Sequence, residues 1–190
     1  MPFNIKVDNV NDIYITKLRQ ELTGGAAFNP QAYDAAAQFC VQAGTHLEDA
    51  LNWADLAIKM PFVGQTNFDT LSTKAQVLSK MGRESEAKEI MHAAMHDPAT
   101  NRFQIHQFGR QLLAAKKTQE ALEIFKLNAE RNGETWPVNV GLARGYMAAG
   151  DYKKALEYAQ KAAAQAPDNQ NRQNLEAMAK SLAEGKPYDN

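Results

Sequence analysis

Apolar and small residues recur along most of this chain at the spacing of a helix face, with polar positions filling the remainder. The pattern predicts an N-terminal helix over about Asn11–Leu22 that breaks at Gly24-Gly25. Paired helices follow at about Pro30–Ala43 with Leu47–Met60, Phe68–Met81 with Glu84–His96, Asn101–Ala115 with Gln119–Arg131, and Glu134–Ala149 with Tyr152–Ala166. A last helix, about Asn169–Glu184, carries Leu175, Met178 and Leu182 on one stripe and polar residues elsewhere. One stretch breaks the pattern. Phe3, Ile5 and Val7 alternate with Asn4, Lys6 and Asp8, the period of a half-buried strand. No second strand is predicted to pair with it, so it reads either as disordered or, the favoured reading, as the end of an upstream domain's sheet.

The helical segments repeat. Ala87, Ala121 and Ala155 recur at one fixed interval, and the same register relates Leu71, Ile105 and Asn139, then Leu78, Leu112 and Tyr146, then Ala75, Gly109 and Ala143. Asp49-Ala50-Leu51 opens the pattern upstream at a slightly longer interval, the excess absorbed by Pro61–Gln65. Small residues let two helices cross closely while larger apolar neighbours interlock. Gly82 and Gly150 suit the left-handed conformation that ends a helix, and Pro98 and Pro167 stop the helix that follows.

On these residues the chain resembles the tetratricopeptide repeat superfamily, whose period is about 34 residues, the interval between the three alanines. The last unit matches best, through Leu142-Ala143, Tyr146, Gly150, Tyr152, Ala155, Ala162 and Pro167. Departures are Asn139 at a bulky apolar place, Ala159 at an aromatic one, and Lys116-Lys117-Thr118 as a turn without glycine. The resemblance implies an all-α fold: a right-handed α-α superhelix of four helical hairpins with flanking N-terminal and C-terminal helices. The expected domain plan is an extended remnant or linker over 1–10, a helix and loop over 11–28, repeats over 29–184 and a tail over 185–190. Within the repeats, units fall at about 30–66, 67–100, 101–134 and 135–168, with a capping helix at 169–184. Pro2–Asp8 followed by Leu51–Ile58 resembles the C-terminal half of a bacterial family that joins an uncharacterised β-rich domain to a helical-repeat tail. That resemblance implies an exported parent protein, with a cytoplasmic one as the alternative.

Composition narrows the partners. Twenty-one basic residues against 22 acidic ones give a formal charge of −1, which lacks the electrostatic footprint of a nucleic-acid binder or a polybasic membrane anchor. No apolar run approaches the roughly 20 residues that span a bilayer. Cys40 is the single cysteine, so no intrachain disulfide forms, and its apolar surroundings suit a small core residue rather than a nucleophile. His92 and His96 share a helix face at a spacing that can hold a metal, but no third ligand is evident and a solvated face is the expected reading. Trp53 reads as core, and Trp136, just before Pro137, as packing at a helix start rather than a stacking platform. No phosphate loop, paired carboxylates or Ser/His/Asp set stands out. We therefore expect no enzyme activity, no cofactor and no metal.

In such repeats the first helix of each hairpin lines the concave binding face. That rule selects Asp34, Gln38, Ser72, Thr73 and Gln76 in the first two units, and Phe103, His106, Gln107, Arg110, Val140, Arg144 and Met147 in the last two. Arginine takes carboxylates in a bidentate fork, and Phe and Met seat apolar side chains. The expected partner is a protein or peptide, with an acidic group near Arg110 and Arg144, held by a monomer or weak homodimer. Solvated or ion-paired surface arginines are the competing reading. The chaperone-tail form of the fold clamps a terminal carboxylate with Lys and Asn on its early helices, whereas Asp34, Gln38 and Thr73 stand there in this chain. A structural spacer or self-association module serving an upstream domain is the alternative function.

Overall fold

The computed structural model of the chain describes residues 9–188. The alternating Phe3–Val7 stretch lies outside them. Among the described residues there are ten helices and no strand. They fall into two compact units divided after Thr100.

The first unit holds α1 (Val10–Thr23), α2 (Pro30–Ala43), α3 (Leu47–Lys59), α4 (Phe68–Lys80) and α5 (Glu84–His96). Its core runs through Ile15, Tyr33, Ala37, Cys40, Ala50, Trp53, Ala57 and Val77. Cys40 and Trp53 are buried, as their apolar neighbours in sequence predict, and burial pushes the Cys40 thiol up to about 11. A thiol held protonated at neutral pH is a poor nucleophile. Helix α1 presents Ile15 and Leu22 to this core. It is further tied down by Arg19 donating to Asp49 (2.6 Å) and by His46 Nε2 against Asp12 (2.8 Å). The longer connector after α3 closes as a turn, with Gly64 N–H donating to Met60 O (2.8 Å) and Gln65 N–H to Ala57 O (2.9 Å).

The second unit holds α6 (Arg102–Ala114), α7 (Thr118–Asn132), α8 (Trp136–Ala148), α9 (Tyr152–Ala164) and α10 (Asn169–Ala183). Pro137 falls in the first turn of α8, where a missing N–H costs nothing. Asn67 and Asn101, equivalent positions in successive hairpins, cap α4 and α6 through capping boxes with Thr70 and Gln104.

The repeat register is visible in the hydrogen bonds that end α4, α6 and α8. Arg83 N–H donates to Leu78 O (2.8 Å), Lys117 N–H to Leu112 O (2.9 Å) and Asp151 N–H to Tyr146 O (3.0 Å). The residue before each donor takes a left-handed φ: +78° at Gly82, +60° at Lys116 and +79° at Gly150. Glycine takes that conformation freely and lysine does not. Lys116 therefore makes the same helix stop as its glycine counterparts at a cost in stability. We expect Lys116→Gly to raise stability by about 0.5–1 kcal/mol in urea denaturation.

The core of the second unit is organised around one ring. Phe125 of α7 is fully buried between Leu112, Ala121, Val138 and Leu142. Three glycines face it. A Cβ placed on Gly109 would enter the ring's contact surface, one on Gly141 would lie 2.6 Å from its Cδ1, and one on Gly145 2.9 Å from its Cδ2. Glycine on α6 and twice on α8 thus lets two helices close on a phenylalanine that side chains would otherwise exclude. Asn139, at a place the repeat usually gives to a bulky apolar residue, is also buried. Its Nδ2 donates to Gln165 Oε1 (3.0 Å) and Glu134 O (3.3 Å), and Gln165 Nε2 donates to Glu134 O (3.0 Å), fixing the start of α8 to the end of α9.

Candidate functional site

The candidate residues fall on two surfaces, one in each unit. In the first unit Asp34 and Gln38 of α2 meet Thr73 of α4: Gln38 Nε2 donates to Asp34 Oδ2 (2.8 Å) and to Thr73 Oγ1 (3.2 Å). Burial raises the Asp34 carboxyl above its ordinary range, opposed by its hydrogen bonds to Thr73 and Gln38. Thr73 is not the surface lining that the sequence suggests. It is 2% exposed, because α4 packs that hydroxyl against α2, where it also donates to Asp69 O (3.2 Å). Ser72 is buried as well and accepts from Gln76 Nε2 (3.2 Å). Gln38 and Gln76 remain exposed.

In the second unit Arg110, Arg144 and Met147 are brought together. They line a hollow of about 330 Å³ with Leu113, Lys116, Thr118, Ala148, Met178 and Tyr188. Among the described residues its wall carries three cations and no carboxylate. Arg144 is the most enclosed of them. Burial first, and the neighbouring Arg110 second, hold its guanidinium below the usual value. Among the described residues no ion pair engages Arg144, Arg110 or Lys116. A half-buried, uncompensated charge is costly, and a proton or a counter-ion relieves it.

His106 lies within electrostatic reach of both arginines, its ring 5.7 Å from that of Phe125. Its Nδ1 is buried and has no hydrogen-bond partner among the described residues. Burial, then Arg144 and Arg110, push its pKa down to about 4, against the backbone carbonyl of Pro137, which favours the charged form. The folded chain keeps His106 neutral, whereas the unfolded chain protonates it below its ordinary 6.5. Folding stability from this residue is thus whole at pH 7 and is lost as pH falls from 6.5 toward 4. Over that window we expect a loss of about 1–3 kcal/mol that His106→Gln flattens, read by chemical denaturation at stepped pH.

The other candidates stand apart from the hollow. Phe103 is 55% exposed with the Arg102 guanidinium 5.2 Å over its ring, and Gln107 is exposed. Val140 is buried beside Ala162, Ala163 and Leu175. Trp136 packs on that same cluster, in keeping with a helix-start packing role. His92 and His96 are exposed with their ring centroids 4.2 Å apart and the planes tilted by 30°, and His96 Nδ1 bonds the His92 carbonyl (2.8 Å). Among the described residues no three His, Cys, Asp or Glu side chains are grouped as metal ligands, and no helix is long and apolar enough to cross a membrane.

Residues 112–179, which contain most of the hollow's wall, match the family model described as tetratricopeptide repeat. That stretch carries the tetratricopeptide repeat. A solved tetratricopeptide-repeat structure agrees: that of YrrB, titled a TPR protein with an unusual peptide-binding site, superposes with a TM-score of 0.50 at 20% identity. The match covers 88% of this chain and 85% of that one. No match was found among curated proteins. In tetratricopeptide terms, Arg110 and Arg144 occupy equivalent places on the first helices of successive hairpins. Lys116, Met178 and Tyr188 were missed by sequence reasoning. Lys116 is legible as a lysine at a glycine position. Met178 reads from the sequence as cap core, and Tyr188 lies beyond the last predicted helix, where periodicity carries no signal.

Proposed function

We propose that this chain is a protein-interaction module whose second unit holds an extended peptide by an acidic side chain seated between Arg110 and Arg144. The observation that carries this is the hollow's charge: among the described residues its wall holds three cations, one of them half-buried, and no carboxylate. A ligand carboxylate would satisfy the Arg144 fork and relieve its repulsion from Arg110. Leu113, Met147 and Met178 offer an apolar wall for a neighbouring side chain. The tetratricopeptide fold supports an interaction role in general, and YrrB, of the same fold, is described by its peptide-binding site. Nothing in this role requires bond-making chemistry, a cofactor or a metal.

A fluorescence titration with a library of acidic and neutral peptides tests the proposal. Binding restricted to acidic members, and lost with Arg144→Ala, supports it; binding unchanged by both Arg144→Ala and Arg110→Ala overturns it.

A second reading, self-association, has its own observation. In the first unit Phe28 (81%) and Phe62 (107%) are exposed and line one hollow, and Val10 and Ile13 are exposed on α1. Exposed aromatics in such number favour contact with another surface. Light scattering after size exclusion separates the readings: a stable dimer supports self-association, and a monomer leaves peptide capture as the function.

A further inference from the structure

The chain turns back on itself after α10. Gly185 takes a left-handed φ of +72°, Lys186 N–H donates to Ser181 O (3.0 Å), and the Ser181 hydroxyl donates to Pro187 O (2.9 Å). The segment then reaches α8, where Tyr188 N–H donates to the Met147 sulfur (3.3 Å). Tyr188 packs with Ala143, Met178 and Leu182 and lines the same hollow as Arg110 and Arg144. A second, smaller hollow, of about 50 Å³, places Tyr188 with Arg144, Trp136 and Asn174.

We propose that Tyr188 is a resident, displaceable occupant of the site, standing where an aromatic residue of a bound peptide goes. The proposal rests on the acidic-peptide reading above and extends it: the preferred ligand carries an aromatic residue next to an acidic one. Three observations support this. The segment is not helical and meets α8 through a backbone N–H, as a peptide lying along a helix face would. Its hold there is weak, since a thioether is a poor acceptor. Its own sequence continues from Tyr188 into Asp189, an aromatic followed by a carboxylate. A tethered occupant competes at an effective concentration near the millimolar range, so it lowers the apparent affinity for free peptide.

The probe is the pentapeptide of residues 186–190, Lys-Pro-Tyr-Asp-Asn, acetylated, amidated and carrying a fluorophore. It is titrated against the intact chain, the chain ended after Glu184, and the intact chain with Tyr188→Ala. The last variant keeps α10 and the Ser181 hydrogen bonds, and circular dichroism checks that each protein is folded. We expect the shortened chain and the Tyr188→Ala chain to bind at least about tenfold more tightly than the intact chain. A probe with alanine in place of its tyrosine loses that gain. Equal affinity for all three proteins, or weaker binding to the shortened chain, overturns the proposal, the latter making Tyr188 a wall of the site. The two readings fail separately. If acidic library peptides bind through Arg144 yet removing the tail changes nothing, only the tail proposal falls; if no acidic peptide binds any of the three proteins, both fall.

Discussion

Replacing Phe125 with alanine is expected to destabilise the chain by about 3–5 kcal/mol, the range for removing a fully buried aromatic ring. The glycines around the ring make the case sharper. Gly109→Ala alone brings two opposing effects. A methyl forced against an enclosed ring costs about 1–3 kcal/mol. Alanine's helix preference returns about 1 kcal/mol. Because the methyl would lie inside the contact surface of a ring that Gly141 and Gly145 also confine, the strain outweighs the preference. With the ring gone, only the preference remains. Gly109→Ala should therefore change from destabilising in the native background to stabilising by about 1 kcal/mol in the Phe125→Ala background. Urea denaturation of the four proteins measures it. A glycine substitution that costs the same in both backgrounds would show that Phe125 is not what the glycines accommodate.

Arg144 carries the second large effect, and it is expected to have opposite signs in two assays. In the free protein the guanidinium is half-buried beside Arg110 and has no counter-charge among the described residues, so Arg144→Met removes a cost. The variant should be as stable as the native chain or more stable, by up to about 1–2 kcal/mol. In binding, the same substitution removes the group that takes the ligand's carboxylate. Losing one partner of an enclosed, hydrogen-bonded charge pair costs about 2–5 kcal/mol, so acidic-peptide affinity should fall at least about thirtyfold. Arg144→Lys should recover little, because an ammonium cannot offer the planar fork. Arg110, more exposed, should matter less, about three- to tenfold. Stability gained while binding is lost is the signature of a residue kept for its ligand. Stability lost along with binding would make Arg144 a packing residue instead. Lys116 follows the same logic on a smaller scale: it bears a left-handed backbone at the edge of the hollow where its equivalents are glycine.

Much of this was legible in the sequence, for a physical reason. A repeat imposes the same local demands on every unit, so the small crossing positions and the left-handed helix stop recur and are read without coordinates. The helix map and the all-α repeat fold follow from that recurrence. Arg110 and Arg144 were legible as candidates for the same reason, since equivalent positions on successive hairpins must face alike. Thr73 misleads because the rule that selects a helix face does not say how closely the next helix covers it. Gly141 and Gly145 carry no warning of the ring they cradle, because Phe125 lies on another helix.

What the sequence determined by itself was therefore everything periodic: the helices, their pairing into hairpins, their stops, and which residues share a face. What only the tertiary structure decided was everything that depends on proximity between residues far apart in the chain. The burial of Arg144 beside Arg110, the gathering of three cations in the wall of one hollow, the neutral state of His106 and the return of Tyr188 onto Met147 all belong to that second class. Charge and hydration act through space, and periodicity describes only the order along the chain.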